Sequence, residues 1–462
     1  MTWTERPDDE EVAVQRSTVV VRTGMVGLVA LLVAGVIVGL GTVAASERAS
    51  VRPRAAVVPS PLAFARSGDR VVSVDVDRAE VAVSARRAVG SIDGRLLFQA
   101  VPGPGGGASL VTLDARTGDE QWRQPVAAGL SPIVASQDGG AVVLAGTVAG
   151  SSTTSGYPAP RTETTLSIAR RGAEVEAHTL RGNYEPEAFS RDGDRLYLIK
   201  YVPAEAPTGY QVRQLDLATG DVSGVESVDI RPGAVMGGSA RGRVMAPDGS
   251  RLYTLYSVPA GVPDGLHGTD TERGRAFVHI LDLEEGWAHC LLLPDPIGVE
   301  AMATGPMAIS PDGGTLAVVD PGFDGLSSGG RSTVVTVATD TLMVGPVHEE
   351  LGPRWPTAAA VGADGAVYVA GSGGQGRPRV DVVDADAGTV LRGWTTRTAV
   401  QAMSAQPRGS LLLAEPERAR VVVMHPGREG GRSITLPGEG LVAVGPAGIT
   451  LPDPRDVLEC AC

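Results

Sequence analysis

The sequence predicts an all-β protein, a β-propeller of seven to eight four-stranded blades preceded by one transmembrane helix. Three features predict it: a repeated Asp-Gly hairpin, a repeated strand that ends in aspartate, and one long uncharged apolar segment near the amino terminus. Self-similarity at roughly 40 to 60 residues is typical of propellers. The repeat fills residues 65–452, so we expect one large domain although 462 residues would suffice for three.

Six of the Asp-Gly pairs in the chain each stand between two short apolar runs. Because Asp-Gly supplies the positive φ of a two-residue hairpin turn, each pair predicts a tight β-hairpin between the first two strands of a blade, a and b. Weaker copies occur at Arg408-Gly409 and Ala447-Gly448. The aspartates of the clear copies are Asp93, Asp138, Asp192, Asp248, Asp312 and Asp364.

The third strand of a unit, c, usually ends in Leu-Asp or Val-Asp, and a short turn then leads to the outer strand d. An aspartate at this position is expected to accept N–H groups of the turn, an Asx-type role. Since every copy has the same structural explanation, we predict no catalytic role for them. These aspartates are Asp114, Asp216, Asp282 and Asp384.

The ends of the repeat are complementary. Seven complete units extend over about 88–437, residues 440–451 offer only an a–b hairpin, and residues 70–84 offer only a c–d pair. Together these two pieces predict an eighth blade, which would remove the exposed edges of an open ring. Seven blades are the alternative if one weak hairpin is not a true repeat.

Residues 23–46 carry no charged side chain. Twenty-four helical residues span ~36 Å, enough for a hydrocarbon core of ~30 Å, so this segment predicts a transmembrane helix. A cleaved signal peptide is the alternative, because Val43-Ala44-Ala45 resembles a cleavage site, but the apolar run is long and the preceding residues are acidic. The expected divisions are a cytoplasmic tail (1–22), the helix (23–46), a linker (47–64), the propeller (65–452) and a C-terminal tail (453–462).

The arginine counts on the two sides of this helix are nearly tied, so the positive-inside rule does not decide the orientation. A short tail inside and a large domain outside is the commoner arrangement. We therefore predict a single-pass protein of the cytoplasmic membrane with its propeller outside. Gly35 and Gly39 form a GxxxG spacing that allows a homodimer through the helix, although small residues are common in membrane helices.

Composition and motifs limit the chemistry. A net charge of −13 argues against a nucleic-acid partner. No HExxH, Walker, GxSxG or CxxC motif is present, so we predict no catalytic site, no metal site and no cofactor. Three cysteines leave two alternatives, a disulfide from Cys290 to Cys460 or Cys462, or free thiols.

The Ser310-Pro-Asp-Gly313 copy and the Leu-Asp-x-x-Thr-Gly segments resemble bacterial WD40-like propellers of the YVTN class, over about 65–452. That resemblance implies the propeller fold but no single function, and the composition looks actinobacterial. Residues 113–122, ending in Trp122, also look like the tryptophan-docking motif of quinoprotein dehydrogenases. Those enzymes repeat the motif in most blades, whereas it is convincing once here. An enzyme, lactonase-like or quinone-dependent, is therefore the alternative function.

The connections between strands b and c are long, and in a four-stranded antiparallel blade they leave on the same face as the d–a connections. Insertions concentrated on one face of a repeat array usually mark a binding face. The sequence thus predicts a membrane-anchored extracytoplasmic scaffold that is not an enzyme and binds another cell-envelope protein or a surface ligand. A cation site at His267 is less favoured than a solvated insertion. The predicted partner-binding residues are Tyr157, Tyr210, Asp264, Leu266, His267 and Phe323.

Overall fold

A computed structural model describes residues 62–146, 157–228, 234–261, 273–298, 305–321, 332–372, 376–425, 430–438 and 442–446. The chain divides into two units, 1–56 and 57–462, and every described residue belongs to the second. The predicted transmembrane helix, 23–46, lies outside these residues. Within them, no helix has the length and apolarity needed to cross a membrane.

The described strands form eight sheets, seven of four strands and one of five, which are the blades of an eight-bladed β-propeller. The prediction of an all-β propeller is confirmed, and the alternative of seven blades is wrong. Middle strands are buried on both faces, and their sequences are therefore nearly continuous apolar runs, as in Leu411–Glu415. Outer strands such as Thr389–Thr395 are largely exposed.

The first four blades, each given from its inner strand a to its outer strand d, lie in the amino-terminal half of the repeat except for the inner strand of blade 1. Blade 1 comprises β33 (Val442–Pro446), β1 (Leu62–Ser67), β2 (Arg70–Asp75) and β3 (Glu80–Arg86); blade 2 comprises β4 (Ala88–Gly90), β5 (Leu96–Pro102), β6 (Ala108–Asp114) and β7 (Glu120–Val126); blade 3 comprises β8 (Leu130–Ala135), β9 (Ala141–Gly146), β10 (Glu163–Arg170) and β11 (Glu176–Arg181); blade 4 comprises β12 (Asn183–Phe189), β13 (Arg195–Val202), β14 (Gly209–Asp216) and β15 (Val222–Gly224).

The last four blades follow in chain order. Blade 5 comprises β17 (Ser239–Met245), β18 (Arg251–Val258), β19 (Arg275–Asp282) and β20 (Trp287–Leu292), with β16 (Glu226–Ser227) added in parallel to β20; blade 6 comprises β21 (Met307–Ile309), β22 (Thr315–Asp320), β23 (Thr333–Ala338) and β24 (Met343–Val344); blade 7 comprises β25 (Arg354–Val361), β26 (Val367–Ser372), β27 (Pro378–Asp384) and β28 (Thr389–Thr395); blade 8 comprises β29 (Ala402–Ala405), β30 (Leu411–Glu415), β31 (Arg420–Met424) and β32 (Gly431–Thr435). Short 3₁₀ turns occur at Pro104–Gly106 and Pro416–Arg418.

Both ends of the repeat contribute to blade 1, but not in the predicted proportion. β33 supplies strand a alone, and β1 supplies strand b, pairing Ala65 with Val444 in antiparallel register. The prediction that residues 440–451 provide both a and b was therefore wrong. The segment Leu62–Ser67, four of whose first five residues are apolar, is long enough for a strand and begins inside the range expected to be a linker.

The a–b hairpins also differ from the expected two-residue turns. In the first copy the Gly94 N–H donates to the Ser91 carbonyl at 3.0 Å, and within the Asp-Gly pair only Gly94 has positive φ. Ser91 Oγ donates to Asp93 Oδ1 at 2.6 Å, and this carboxylate accepts the Arg95 N–H at 3.0 Å. The connection thus spans five residues, 91–95, and its aspartate serves as a side-chain acceptor.

Candidate functional site at the loop face

The two faces of the ring are defined by their connections. We call the face with the a–b and c–d connections the turn face, and the face with the b–c and d–a connections the loop face. On the turn face, Asp216 Oδ1 accepts the N–H groups of Ala218 and Thr219, both at 2.9 Å. The hydrogen bonds from Thr219 and then Ala218 lower the pKa of Asp216. The predicted Asx role is confirmed in all four copies, at Asp114, Asp216, Asp282 and Asp384.

Turns from non-adjacent blades meet on the turn face. Gln137 Nε2, from blade 3, donates to the Asp248 carbonyl of blade 5 at 2.7 Å, and the Gln137 carbonyl accepts the Asp93 N–H of blade 2 at 3.1 Å. Ile92 of blade 2 is buried in a core cluster with residues of blades 4 and 5. A Cβ added at Gly249 would lie 3.0 Å from Gln137 and 3.1 Å from Ile92. These turns therefore cross the ring and occupy its centre on this face.

A polar network covers the start of blade 4 on the loop face. Arg161, in the b–c connection of blade 3, donates through Nε to Asn183 Oδ1 at 2.9 Å and through Nη2 to the Tyr184 carbonyl at 2.9 Å. Asn183 Nδ2 donates to the Ala159 carbonyl at 3.0 Å. Arg161 Nη2 also lies 3.7 Å from Glu185 Oε1. A loop of one blade is thus fixed over the inner strand of the next.

Two tyrosines extend this network toward the seam between blades 4 and 5. Tyr201 donates from its hydroxyl to Glu185 Oε2 at 2.9 Å, and Tyr157 packs edge-on against the Tyr201 ring at 6.2 Å. Burial, and secondly the charge of Glu185, raise the pKa of Tyr201 well above its usual value. Tyr201 therefore stays protonated at neutral pH and acts here as a hydrogen-bond donor.

An ion pair connects the inner strands of blades 4 and 5. Arg243 Nη2 donates to Glu187 Oε1, and the two side chains are 32 % and 6 % exposed respectively. Burial raises the pKa of Glu187, and the charge of Arg243 opposes that shift. The guanidinium is the more accessible partner, so this seam presents positive charge.

His279 lies deeper in the same seam. It is 4 % exposed, and its ring meets Tyr256 edge-on at 6.4 Å. Burial lowers the pKa of His279 to about 4, with the charges of Arg243 and His289 acting in the same direction. The imidazole is therefore neutral at pH 7.

The loop face also carries a strained tryptophan. Trp355 lies near the start of β25, the inner strand of blade 7; its φ is +51° and it is 50 % exposed, next to exposed Arg354. A positive φ is a marked outlier for a bulky residue, and a residue before proline, as Trp355 is before Pro356, prefers extended backbone with negative φ. Such strain costs about 1–3 kcal/mol and is concentrated at functional sites.

The structure separates the predicted partner-binding residues. Tyr157 belongs to the loop-face network. Tyr210 is 1 % exposed on β14 and stacks on Tyr256 at 4.6 Å, so its ring is covered in this conformation. Asp264, Leu266, His267 and Phe323 lie outside the described residues, and their role stays a prediction.

Sequence reasoning missed Glu187, Arg243 and Trp355. The signal for the ion pair was available: Glu187 and Arg243 each stand five residues before an Asp-Gly aspartate, Asp192 and Asp248. Opposite charges at one repeat position of consecutive units predict a contact between neighbouring inner strands. No sequence pattern revealed the backbone conformation of Trp355.

In the described part of the chain, no three His, Cys, Asp or Glu side chains converge as a metal site. Cys290 is buried, and Cys460 and Cys462 lie outside this part, so the predicted disulfide stays a prediction.

No family model and no curated protein matches this sequence. Among solved structures, dihydro-heme d1 dehydrogenase NirN in complex with DHE has a TM-score of 0.47 at 14% identity, covering 86% of this chain and 75% of that chain. Apo AztD from Citrobacter koseri has a TM-score of 0.47 at 12% identity, covering 83% and 96%. The β-propeller domain of Myceliophteria thermophila Cps50 (Swd1) has a TM-score of 0.35 at 11% identity, covering 73% and 94%. These similarities carry no inference about function.

Proposed function

We propose that this protein is a membrane-anchored, extracytoplasmic binding propeller that holds a cell-envelope protein on its loop face and performs no catalysis. The observation that carries the proposal is Trp355, a half-exposed tryptophan held at positive φ beside the exposed Arg354. Tryptophan and arginine are the residue types most enriched where binding energy is concentrated in protein interfaces.

The difference between the two faces supports this assignment. On the turn face, the repeated aspartates are engaged with their own turns, and Ile92 and Gln137 occupy the centre of the ring. On the loop face, Glu185 has a side chain 42 % exposed, and Arg354 at the start of β25 is exposed. A partner on the loop face would therefore meet both charge signs and an aromatic side chain on a rigid support.

A photo-crosslinking amino acid placed at single positions of the full chain tests the binding face. At position 354 we expect an adduct with one protein, identified by mass spectrometry, and the adduct should be lost when Trp355→Ala is added. Leu391→Ala is the matched control, because Leu391 is 58 % exposed on the outer strand of the same blade.

A crosslinker at position 119, an exposed turn-face aspartate, should give no adduct with that protein. Adducts that form only from position 119, or that survive Trp355→Ala but not Leu391→Ala, would place the binding surface elsewhere.

A further inference from the structure

Two sulfur atoms meet inside the seam between blades 4 and 5. Met236, in the connection that precedes β17, pairs its backbone with Tyr210 through two hydrogen bonds of 2.8 Å. Its thioether Sδ lies 3.7 Å from the thiol Sγ of Cys290 on β20. Both residues are buried, at 4 % and 6 % exposure, so the pair is removed from bulk solvent.

A histidine is the cross-strand neighbour of Cys290. His279 on β19 is directly opposite Cys290 in the antiparallel register, so the two side chains lie on the same face of the blade, with Cβ atoms about 4.5–5.5 Å apart. His279 is 4 % exposed, and within the described part of the chain its Nε2 atom has no hydrogen-bond partner. Buried polar atoms nearly always have a hydrogen-bond partner, so a buried nitrogen without one is a candidate metal ligand.

Thioether, thiol and imidazole together form a soft donor set. Methionine and cysteine sulfur favour Cu(I), which imidazole also binds well, whereas hard cations require oxygen ligands. With metal–sulfur bonds of about 2.3 Å, two sulfur ligands at a tetrahedral angle lie about 3.8 Å apart. The observed separation of 3.7 Å suits two ligands of one ion without rearrangement.

We propose that Met236, Cys290 and His279 form a binding site for one Cu(I) ion between blades 4 and 5. On binding, the Cys290 thiol loses its proton to solvent as the copper–sulfur bond forms, and the oxidation state of the copper does not change. The site lies on different blades from Trp355, so a test of copper binding does not depend on the binding face proposed above.

The test uses the full chain with Cys460→Ser and Cys462→Ser, because a terminal Cys-Ala-Cys would itself bind copper. Cu(I) is titrated anaerobically against a chromogenic Cu(I) chelator, and Ag(I) serves as an air-stable second probe. We expect one equivalent of either ion. Because changes outside the ligand set already lower metal affinity by roughly 10- to 100-fold, Met236→Leu and Cys290→Ala should each lower it by at least that factor.

Met245→Leu is the matched control, since Met245 is buried in the same core cluster. Its copper affinity should equal that of the parent, and the metal-free variants should show parental near-ultraviolet circular dichroism. Full binding by Cys290→Ala, or equal losses in Met236→Leu and Met245→Leu, would overturn the proposal.

If a variant fails to fold, X-ray absorption of the copper-loaded parent decides. Two sulfur atoms and one nitrogen around the copper are expected. A first shell with no sulfur or with sulfur alone would overturn the site, as would displacement of the Cu(I) by an equal concentration of Zn(II).

Discussion

Glu187 and Arg243 occupy the same position of consecutive repeats and form an ion pair across the seam between blades 4 and 5. Their equivalence explains the contact, because residues at one repeat position lie at the same height on neighbouring inner strands. The pair is asymmetric in exposure, with the carboxylate buried and the guanidinium partly accessible. Removing Glu187 and removing Arg243 should therefore change the free energy of unfolding by different amounts.

Replacing Arg243 by Met should lower the free energy of unfolding by about 2 to 3 kcal/mol, because it leaves the Glu187 carboxylate buried without a counter-ion. Adding Glu187→Leu should recover most of this loss. Arg86→Met is the control: Arg86 pairs with Asp69 on the surface, where both side chains are at least 40 % exposed, and the change should cost less than about 1 kcal/mol. Urea unfolding measures all three. A double variant no more stable than Arg243→Met would contradict the explanation.

His279 should make stability depend on pH. Its folded pKa of about 4 lies below the ordinary histidine value of 6.5, so the unfolded chain binds the proton more readily. The contribution is fully present above pH 6.5 and is lost as the pH falls through 4, with an upper size of about 3 kcal/mol. His279→Gln should flatten this part of the stability profile, measured by urea unfolding between pH 8 and 4 in metal-free buffer. A parallel profile for parent and variant would assign the acid sensitivity to other groups.

The sequence was sufficient for the fold because each repeat carries its own local signals. Asp-Gly pairs, strands ending in aspartate and apolar runs are all short-range patterns, and Asp216 shows that even a side-chain role follows from them. The number of strands that each chain end gives to blade 1 was not predictable in this way. It depends on a pairing of Ala65 with Val444, residues nearly the whole repeat apart.

The candidate site was harder to predict for the same physical reason. Tyr157 and Tyr210 look alike as loop-flanking aromatics, but tertiary packing leaves one in the loop-face network and covers the other with Tyr256. The strain at Trp355 is imposed by the surrounding structure, against the preference of a residue before proline.

The closure of blade 1 is testable by cross-linking. Ala65→Cys with Val444→Cys should form a disulfide on oxidation and raise the melting temperature, because paired strands bring their Cα atoms to about 4.5–5.5 Å. Cys460→Ser and Cys462→Ser remove competing thiols. Ala65→Cys with Gly445→Cys is the control, since Gly445 pairs with Phe64 and side chains at 65 and 445 point to opposite faces. Cross-linking of the control pair but not of the first would show a shifted register.

The orientation in the membrane follows from sequence alone and stays a prediction. Protease added to intact spheroplasts should digest the propeller, because a short tail inside and a large domain outside is the commoner arrangement around a single membrane segment such as 23–46. A cytoplasmic marker protein that remains intact in the same sample controls for lysis. Complete protection of the propeller until detergent is added would show that the propeller lies on the cytoplasmic side.

Trp355→Gly should separate stability from binding. Glycine accepts a φ of +51° without the strain that tryptophan carries, so the relief offsets the loss of a half-buried ring. We expect the free energy of unfolding to stay within about 0.5 kcal/mol of the parent or to rise, while the crosslinked partner is lost. Leu391→Gly, in an outer strand with no such strain, should cost stability and keep the partner. Denaturant unfolding of both variants checks this, and a Trp355→Gly protein as destabilised as Leu391→Gly would show that the tryptophan is retained for packing.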